Sequence, residues 1–169
     1  MNSGNEFSAP WSTSLRLITL LSTGVLLSLP LFALVNNVGD MRFEFAIVIV
    51  LLPVTILVIS AFFMIRGYEV RNNVLHIQRL GWRTTLDLVG LESAETDPEA
   101  MKGSIRLFGN GGLFCFAGKF RNKKLGSYRA FATDRKLAVV LKFRNKVVVV
   151  TPDKPVDFCE LVKPEKRHR

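Results

Sequence analysis

The chain has 169 residues, 49% of them hydrophobic, and a formal net charge of +9 at pH 7. This length accommodates one ordinary domain and a membrane anchor, and the two cysteines, Cys115 and Cys159, are too few for a disulfide scaffold and lack metal-ligand spacing. Residues 66–169 hold 21 of the 23 Lys and Arg but 11 of the 14 Asp and Glu. A basic region beside a bilayer favours anionic lipid headgroups or acidic protein partners, and we expect no nucleic-acid binding.

Two uncharged apolar runs near the N-terminus predict a transmembrane helical hairpin. A polar tail, residues 1–14, precedes them, and Trp11 stands where an interfacial anchor would lie. The spans are placed at about 17–35 and 45–65, because 19 and 21 helical residues cover a hydrocarbon core of about 30 Å. A cleaved signal peptide is disfavoured, since the first run is too long and no A-x-A site follows it.

The distribution of basic residues predicts the orientation of this hairpin, which covers residues 15–66. The connector carries Arg42 alone, whereas Arg16 precedes the first span. Four arginines follow the second span: Arg66, Arg71, Arg79 and Arg83. The positive-inside rule therefore predicts an inner- or plasma-membrane protein of two spans with both termini in the cytoplasm.

Residues 67–162 change to the alternating pattern of β-strands. Asn72 and Asn73 predict a hairpin turn, and Pro155–Val162 predicts an amphipathic helix. Further strands are predicted at 82–94, 105–108, 113–116, 119–120 with a bend at Gly118, 127–133, 136–143 and 147–150. Seven or eight short strands and a closing helix are typical of an antiparallel sandwich or a partly open barrel. The predicted fold is thus a membrane-anchored all-β domain, and the chain as a whole is α+β when its helices are counted. Residues 163–169 are predicted to be a disordered basic tail.

Several short motifs carry a family resemblance across residues 67–162. They are Tyr68-x-Val70, Leu75-x-Ile77-x-Arg79, Trp82, Arg106-x-x-Gly109-x-Gly111-Gly112-x-Phe114, Gly118-x-Phe120, Gly126-x-Tyr128, Thr133-Asp134 and Val148-Val149-Val150-Thr151-Pro152 before Phe158. They resemble the bacterial pleckstrin-homology-like (PH) domains, in particular those that follow a pair of transmembrane helices. The resemblance implies a seven-stranded bent sandwich or barrel capped by a C-terminal helix, without enzymatic activity. Cys115 stands where a glycine is often found in these domains.

Residues 119–146 supply the candidate binding residues, ten basic side chains against the single acid Asp134. These candidates are Lys119, Arg121, Lys123, Lys124, Arg129, Arg135, Lys136, Lys142, Arg144 and Lys146. Each contributes about 1 kcal/mol near an anionic leaflet, so a few of them hold a tethered domain to the membrane. An acidic protein partner or a merely solvated surface are the alternatives. The turn at residues 71–73 is too short for the inositol-phosphate pocket of eukaryotic relatives.

The sequence favours a non-enzymatic binding or scaffold module over an enzyme. The glycines at 109–112 match neither phosphate-binding nor dinucleotide fingerprints, and the acids at 87–99 lack calcium-loop spacing, so no cofactor or metal is expected. His76 and His168 have no sequence-local partner for a cysteine nucleophile. Three alternatives remain: an accessory subunit of a larger membrane complex, self-association through an open sheet edge, and a membrane-bound enzyme that uses Cys115.

Overall fold

The computed structural model describes residues 5–35 and 43–163, which include three α-helices and ten strands. The helices are α1 (Thr13–Val35), α2 (Phe43–Phe62) and α3 (Pro155–Val162). The strands are β1 (Glu6–Ser8), β2 (Ile65–Arg71), β3 (Val74–Arg79), β4 (Arg83–Asp87), β5 (Leu91–Thr96), β6 (Ile105–Gly111), β7 (Phe116–Asn122), β8 (Gly126–Ala132), β9 (Val139–Phe143) and β10 (Val147–Val150). Residues 36–42 of the predicted connector and the basic tail from residue 164 lie outside the described residues, and α2 begins at Phe43 within the predicted connector.

The strands form two sheets that enclose the main core. The first sheet has the order β1-β2-β3-β4 and the second has the order β5-β9-β10-β8-β7-β6. All neighbours are antiparallel except β10 and β8, which run parallel. Buried side chains from both sheets, such as Tyr68 and Leu141, pack in one cluster with Phe158 of α3. The structure is therefore consistent with a PH-like β-sandwich and a C-terminal helix, although it has more strands than the seven or eight predicted.

A second apolar cluster covers the outer face of the six-stranded sheet. Strand alternation places Phe116 and Phe120 on this face, opposite to the main core. Leu15, in the first turn of α1, is fully buried against them together with Met101 from the loop after β5. The start of the first apolar helix is thus a structural part of the β-domain.

Strand β1 also belongs to the domain, which corrects the prediction of a polar tail at residues 1–14. It pairs with β2, with Phe7 opposite Tyr68 and Ser8 opposite Gly67. Phe7 is buried and meets the ring of Phe158 edge to face, with 5.2 Å between ring centroids. Three residues are too few for a periodic pattern, so this strand could not be predicted from the sequence.

Each apolar helix is attached to the domain at one end: α1 at its start and α2 at its end. Ser12 caps α1, since the amide of Leu15 donates to the Ser12 hydroxyl at 3.1 Å. Over Thr13–Ala33, α1 has the length and composition of a membrane-crossing helix, and Ile47–Phe62 of α2 is a shorter apolar helix. The second helix ends at Phe62 rather than residue 65, because Ile65 is buried in β2.

Three strand predictions also need correction. The stretch 82–94 is two strands, β4 and β5, which belong to different sheets and are separated by Gly90 with φ of +79°. Residues 113–116 form mostly a loop, and 136–143 begins with a 3-10 helix at Arg135–Leu137. The turn at Asn72 and Asn73 is as predicted, with φ of 50° and 60°.

Candidate ligand groove

The ten predicted basic residues divide among different surfaces of the domain. Lys124 forms an ion pair with Asp97 at 2.5 Å, and Lys142 forms one with Glu95 at 3.4 Å. Arg135 stacks on the ring of Phe116, in the outer apolar cluster. Four residues are exposed without such a contact: Arg121, Lys123, Lys136 and Arg144. The other three, Lys119, Arg129 and Lys146, line one open groove.

This groove lies where the two sheets separate, and its volume is about 1130 Å³. One wall is the edge strand β4, and the other is the inner face of β6, β7, β8 and β10. Lys119 and Arg129 occupy the same face as the core residues Ala117 and Phe131, two positions away along β7 and β8. The inner face of the six-stranded sheet is therefore apolar where the first sheet covers it and basic where the first sheet does not.

The groove is lined by cations without acids. Two residues outside the predicted set, Arg79 and Arg106, join the three named above, and no Asp or Glu among the described residues lines it. Lys119 and Arg129 stand directly opposite in register, an arrangement in which like charges destabilise a sheet. Neither forms an ion pair with a described carboxylate. The groove is thus an electrostatically unbalanced site that favours an anion.

Arg79 is the most deeply placed of these cations, with only 7% of its surface exposed. Its Nε donates to the Thr84 hydroxyl at 3.0 Å, and its Nη1 donates to the carbonyl of Phe63 at 2.5 Å. The guanidinium also lies 4.8 Å from the ring centroid of Trp82 and 5.5 Å from that of Phe131. Burial lowers the pKa of Arg79, and no described carboxylate offsets its charge.

Sequence reasoning counted Arg79 as a marker of membrane orientation and as part of a family motif, but not as a candidate binding residue. The signal for its site was present in the pattern Leu75-x-Ile77-x-Arg79, because strand alternation places it on the buried side with the two apolar residues. A charged residue at an inward position of a strand is uncommon unless it is paired. The inward position of an arginine in this strand pattern is therefore the sequence signal for the groove.

One end of the groove is built by the end of α2. Ile59, Ser60 and Phe63 line it. The Trp82 indole donates to the carbonyl of Phe62 at 3.1 Å, and the Cys115 thiol donates to that of Phe63 at 3.2 Å. Carbonyls that a helix end leaves without partners are thereby satisfied by the domain. The apolar surface of α2 is continuous with the groove.

Two glycines explain part of the Gly-rich pattern around residues 109–118. Gly109 and Gly118 are directly opposite in register, with φ of +104° and +141°, and both line the groove. A Cβ at either position would collide with the backbone of the facing strand. These glycines allow β6 and β7 to approach closely. Their role is therefore more than that of turn residues.

Cys115 is not placed as an exposed nucleophile. It is fully buried, and desolvation raises the pKa of its thiol to about 11. His76 lies on the opposite side of β3 from the core residues Leu75 and Ile77, and His168 is outside the described residues. No group of three His, Cys, Asp or Glu in the described ranges could hold a metal ion.

The motifs noted in the sequence meet in one buried hydrogen-bond network. The Tyr68 hydroxyl donates to the carbonyl of Phe131 at 2.7 Å, and the amide of Thr151 donates to that hydroxyl at 3.2 Å. The amide of Thr133 in turn donates to the Thr151 hydroxyl at 2.9 Å. This network joins β2 to the ends of β8 and β10, so these motif residues are needed for the fold.

Comparison with known proteins identifies the domain but not a ligand. No curated protein and no solved structure matches the chain. The sequence model of the bacterial PH domain matches residues 66–166, which are more than half of the chain and include both sheets except β1 and the first residue of β2. PH domains are in general non-catalytic binding modules. The chain belongs to the bacterial PH domain family.

Proposed function

We propose that this chain is a two-span membrane protein whose bacterial PH domain binds the anionic surface of the cytoplasmic leaflet. It acts as a non-enzymatic binding or scaffold module with both termini in the cytoplasm. The observation that carries this proposal is the acid-free basic groove beside the exposed apolar end of α2. Of the ten predicted residues, we assign the direct contact to the groove residues Lys119, Arg129 and Lys146.

The exposure of the two helices supports a membrane location next to the groove. In α1, burial against the domain ends at Thr19, and Leu20 is 70% exposed. In α2, apolar side chains remain exposed as far as Phe62 and Phe63. Apolar surface on this scale requires a cover, and a bilayer supplies one. Its boundary would then lie near Leu20 and Phe62, with the groove among the headgroups.

This arrangement gives the module a simple mechanism. The helices hold the domain at the leaflet, so weak contacts act at a high effective concentration. Each groove cation adds about 1 kcal/mol of attraction to an anionic surface. The fraction of domains bound to the leaflet would therefore follow the local density of anionic headgroups. A protein assembly that uses the domain as its scaffold would respond to that density.

Two observations favour the alternative of an accessory subunit or a self-associating scaffold. Strand β6 is an edge of its sheet, and it exposes Ile105, Leu107 and Phe108. The position of a Cβ on Gly24 has no atom within 4 Å, so α1 has room there for a close partner helix. These surfaces are compatible with lipid contact through the groove, because they lie outside it except for Phe108.

Hydrogen exchange of the full chain in lipid nanodiscs tests the proposed function. We expect slower amide exchange in β7 and β8 in discs that contain phosphatidylglycerol than in discs of phosphatidylcholine, and a smaller difference at high salt. Identical exchange in the two discs at low salt would overturn the proposal.

Topology is tested separately by labelling Lys123→Cys in intact cells with a membrane-impermeant maleimide. The exposed turn that holds Lys123 should react only after the inner membrane is opened, and the buried Cys115 and Cys159 should give little background. Labelling in intact cells would contradict the cytoplasmic orientation.

A further inference from the structure

We propose that the groove binds one anionic phospholipid, with its phosphate held between Arg79, Lys119 and Arg129, which we call the phosphate clamp. The inference rests on the proposed function, because the lipid must come from the leaflet that the domain touches. It goes further in replacing a general attraction to the surface with a stoichiometric site of defined chemistry.

The clamp residues form a cluster of cations to which the described residues supply no acidic partner. The guanidinium groups of Arg79 and Arg129 lie 5.5 Å and 4.8 Å from the same ring, that of Phe131. Lys119 is the direct cross-strand neighbour of Arg129. Arg79 is almost completely buried, so its charge is costly without a counter-charge, and no described carboxylate supplies one. A phosphate oxygen pair is a good partner for guanidinium groups.

The rest of the lining fits the apolar part of a lipid. Ile59 and Phe63 lie at the membrane-side end, and Leu86, Phe108 and Val148 continue the apolar surface along the groove. A volume of about 1130 Å³ is slightly above the roughly 300–1,000 Å³ of small-molecule sites. A free phosphate would leave most of this space empty, whereas a lipid that enters from beside α2 could fill it without leaving the bilayer completely.

The charges of the lining also select among headgroups. An ammonium group, as in phosphatidylcholine, would find only cations near the clamp, since no described acid lines the groove. The face of Trp82, which could otherwise attract a quaternary ammonium, is already in contact with Arg79. Thr84, Ser127 and Asn145 offer hydrogen bonds to an uncharged polar headgroup instead. The preferred ligand is therefore a phospholipid with a net negative charge, for example phosphatidylglycerol.

Fluorescence of the full chain in nanodiscs provides the test, because Trp82 lines the groove. The chain has two tryptophans, so Trp11→Phe leaves Trp82 as the sole reporter. Discs of phosphatidylcholine would contain a low fraction of phosphatidylglycerol with brominated chains, which quench indole on contact. Discs with the same fraction of brominated phosphatidylcholine give the non-specific level.

Two charge-matched variants separate the clamp from the general surface. Lys119→Gln with Arg129→Gln removes two exposed clamp cations, and Lys123→Gln with Lys136→Gln removes two exposed cations outside the groove. We expect quenching by brominated phosphatidylglycerol to need at least about ten times more of this lipid in the clamp variant, since two charge-assisted contacts are lost. The control variant should remain within about a factor of three of the parent, since its two cations act only through the screened surface.

Each other outcome is decisive. An equal loss in both variants, with the lipid preference retained in the parent, would overturn the clamp and leave the proposed function intact. A parent chain without preference for phosphatidylglycerol would overturn both. Full competition by water-soluble glycerophosphoglycerol at the concentration of the lipid would overturn the lipid assignment, because the apolar lining would then contribute nothing.

Discussion

Replacing Leu15 by Ala tests the finding that the first turn of α1 belongs to the β-domain. Leu15 is fully buried against the outer face of the six-stranded sheet. The change removes three carbon atoms at about 0.8 kcal/mol each, and the cavity left behind adds to this cost. We expect a loss of about 3 kcal/mol in the free energy of unfolding. For a domain of about 100 residues this lowers the melting temperature by roughly 12 to 24 °C.

Thermal unfolding of the full chain in a mild detergent, followed by near-ultraviolet circular dichroism, measures this effect. The matched control is Leu20→Ala, which removes the same atoms five residues later in the helix, from a side chain that is 70% exposed. We expect the control to change the melting temperature by only a few degrees, because the detergent covers that position in both states. Equal shifts for the two variants would refute the assignment of Leu15 to the domain and would restore a simple membrane span.

Three further predictions concern the core. Tyr68→Phe should cost about 2 kcal/mol of unfolding free energy in a denaturant titration, because the amide of Thr151 and other buried partners lose the hydroxyl; an unchanged midpoint would contradict this. Burial raises the pKa of Tyr68 to about 12 and that of Cys115 to about 11. Because the unfolded chain loses these protons at lower pH than the folded chain, the free energy of unfolding should fall between about pH 9 and 12. A constant free energy of unfolding over that range would count against both shifts. Gly67→Ala should release β1 from β2, since a Cβ there would lie 2.8 Å from the carbonyl oxygen of Phe7. The release would be measured as faster amide hydrogen exchange at residues 6–8, with exchange in β3 unchanged.

The candidate site was predictable only in part. Local composition correctly identified Lys119, Arg129 and Lys146 as basic and exposed, but it could not separate them from Lys124 and Lys142. The latter two form ion pairs with acids that are distant in the chain, and these pairings depend on the fold. A charge count along the sequence therefore overstates the size of a basic surface and cannot locate its centre.

The sequence by itself determined the local elements of this protein. Long uncharged runs are helical because only a helix satisfies every backbone group within an apolar segment, and the alternating pattern after residue 67 leads to strands with one buried side. The Asn72–Asn73 turn and α3 follow from equally local chemistry. Family membership was also accessible at this level, since the motifs lie close together along the chain.

Only the tertiary structure decided where these elements meet. It added β1 to the first sheet, placed the start of α1 on the outer face of the second, and brought Arg79 beside Arg129. Contacts of this kind join residues fifty or more positions apart, and short strands or single side chains carry no periodic signal of their partners. The groove exists because two sheets separate at one end, which is a property of their packing and twist rather than of any one segment.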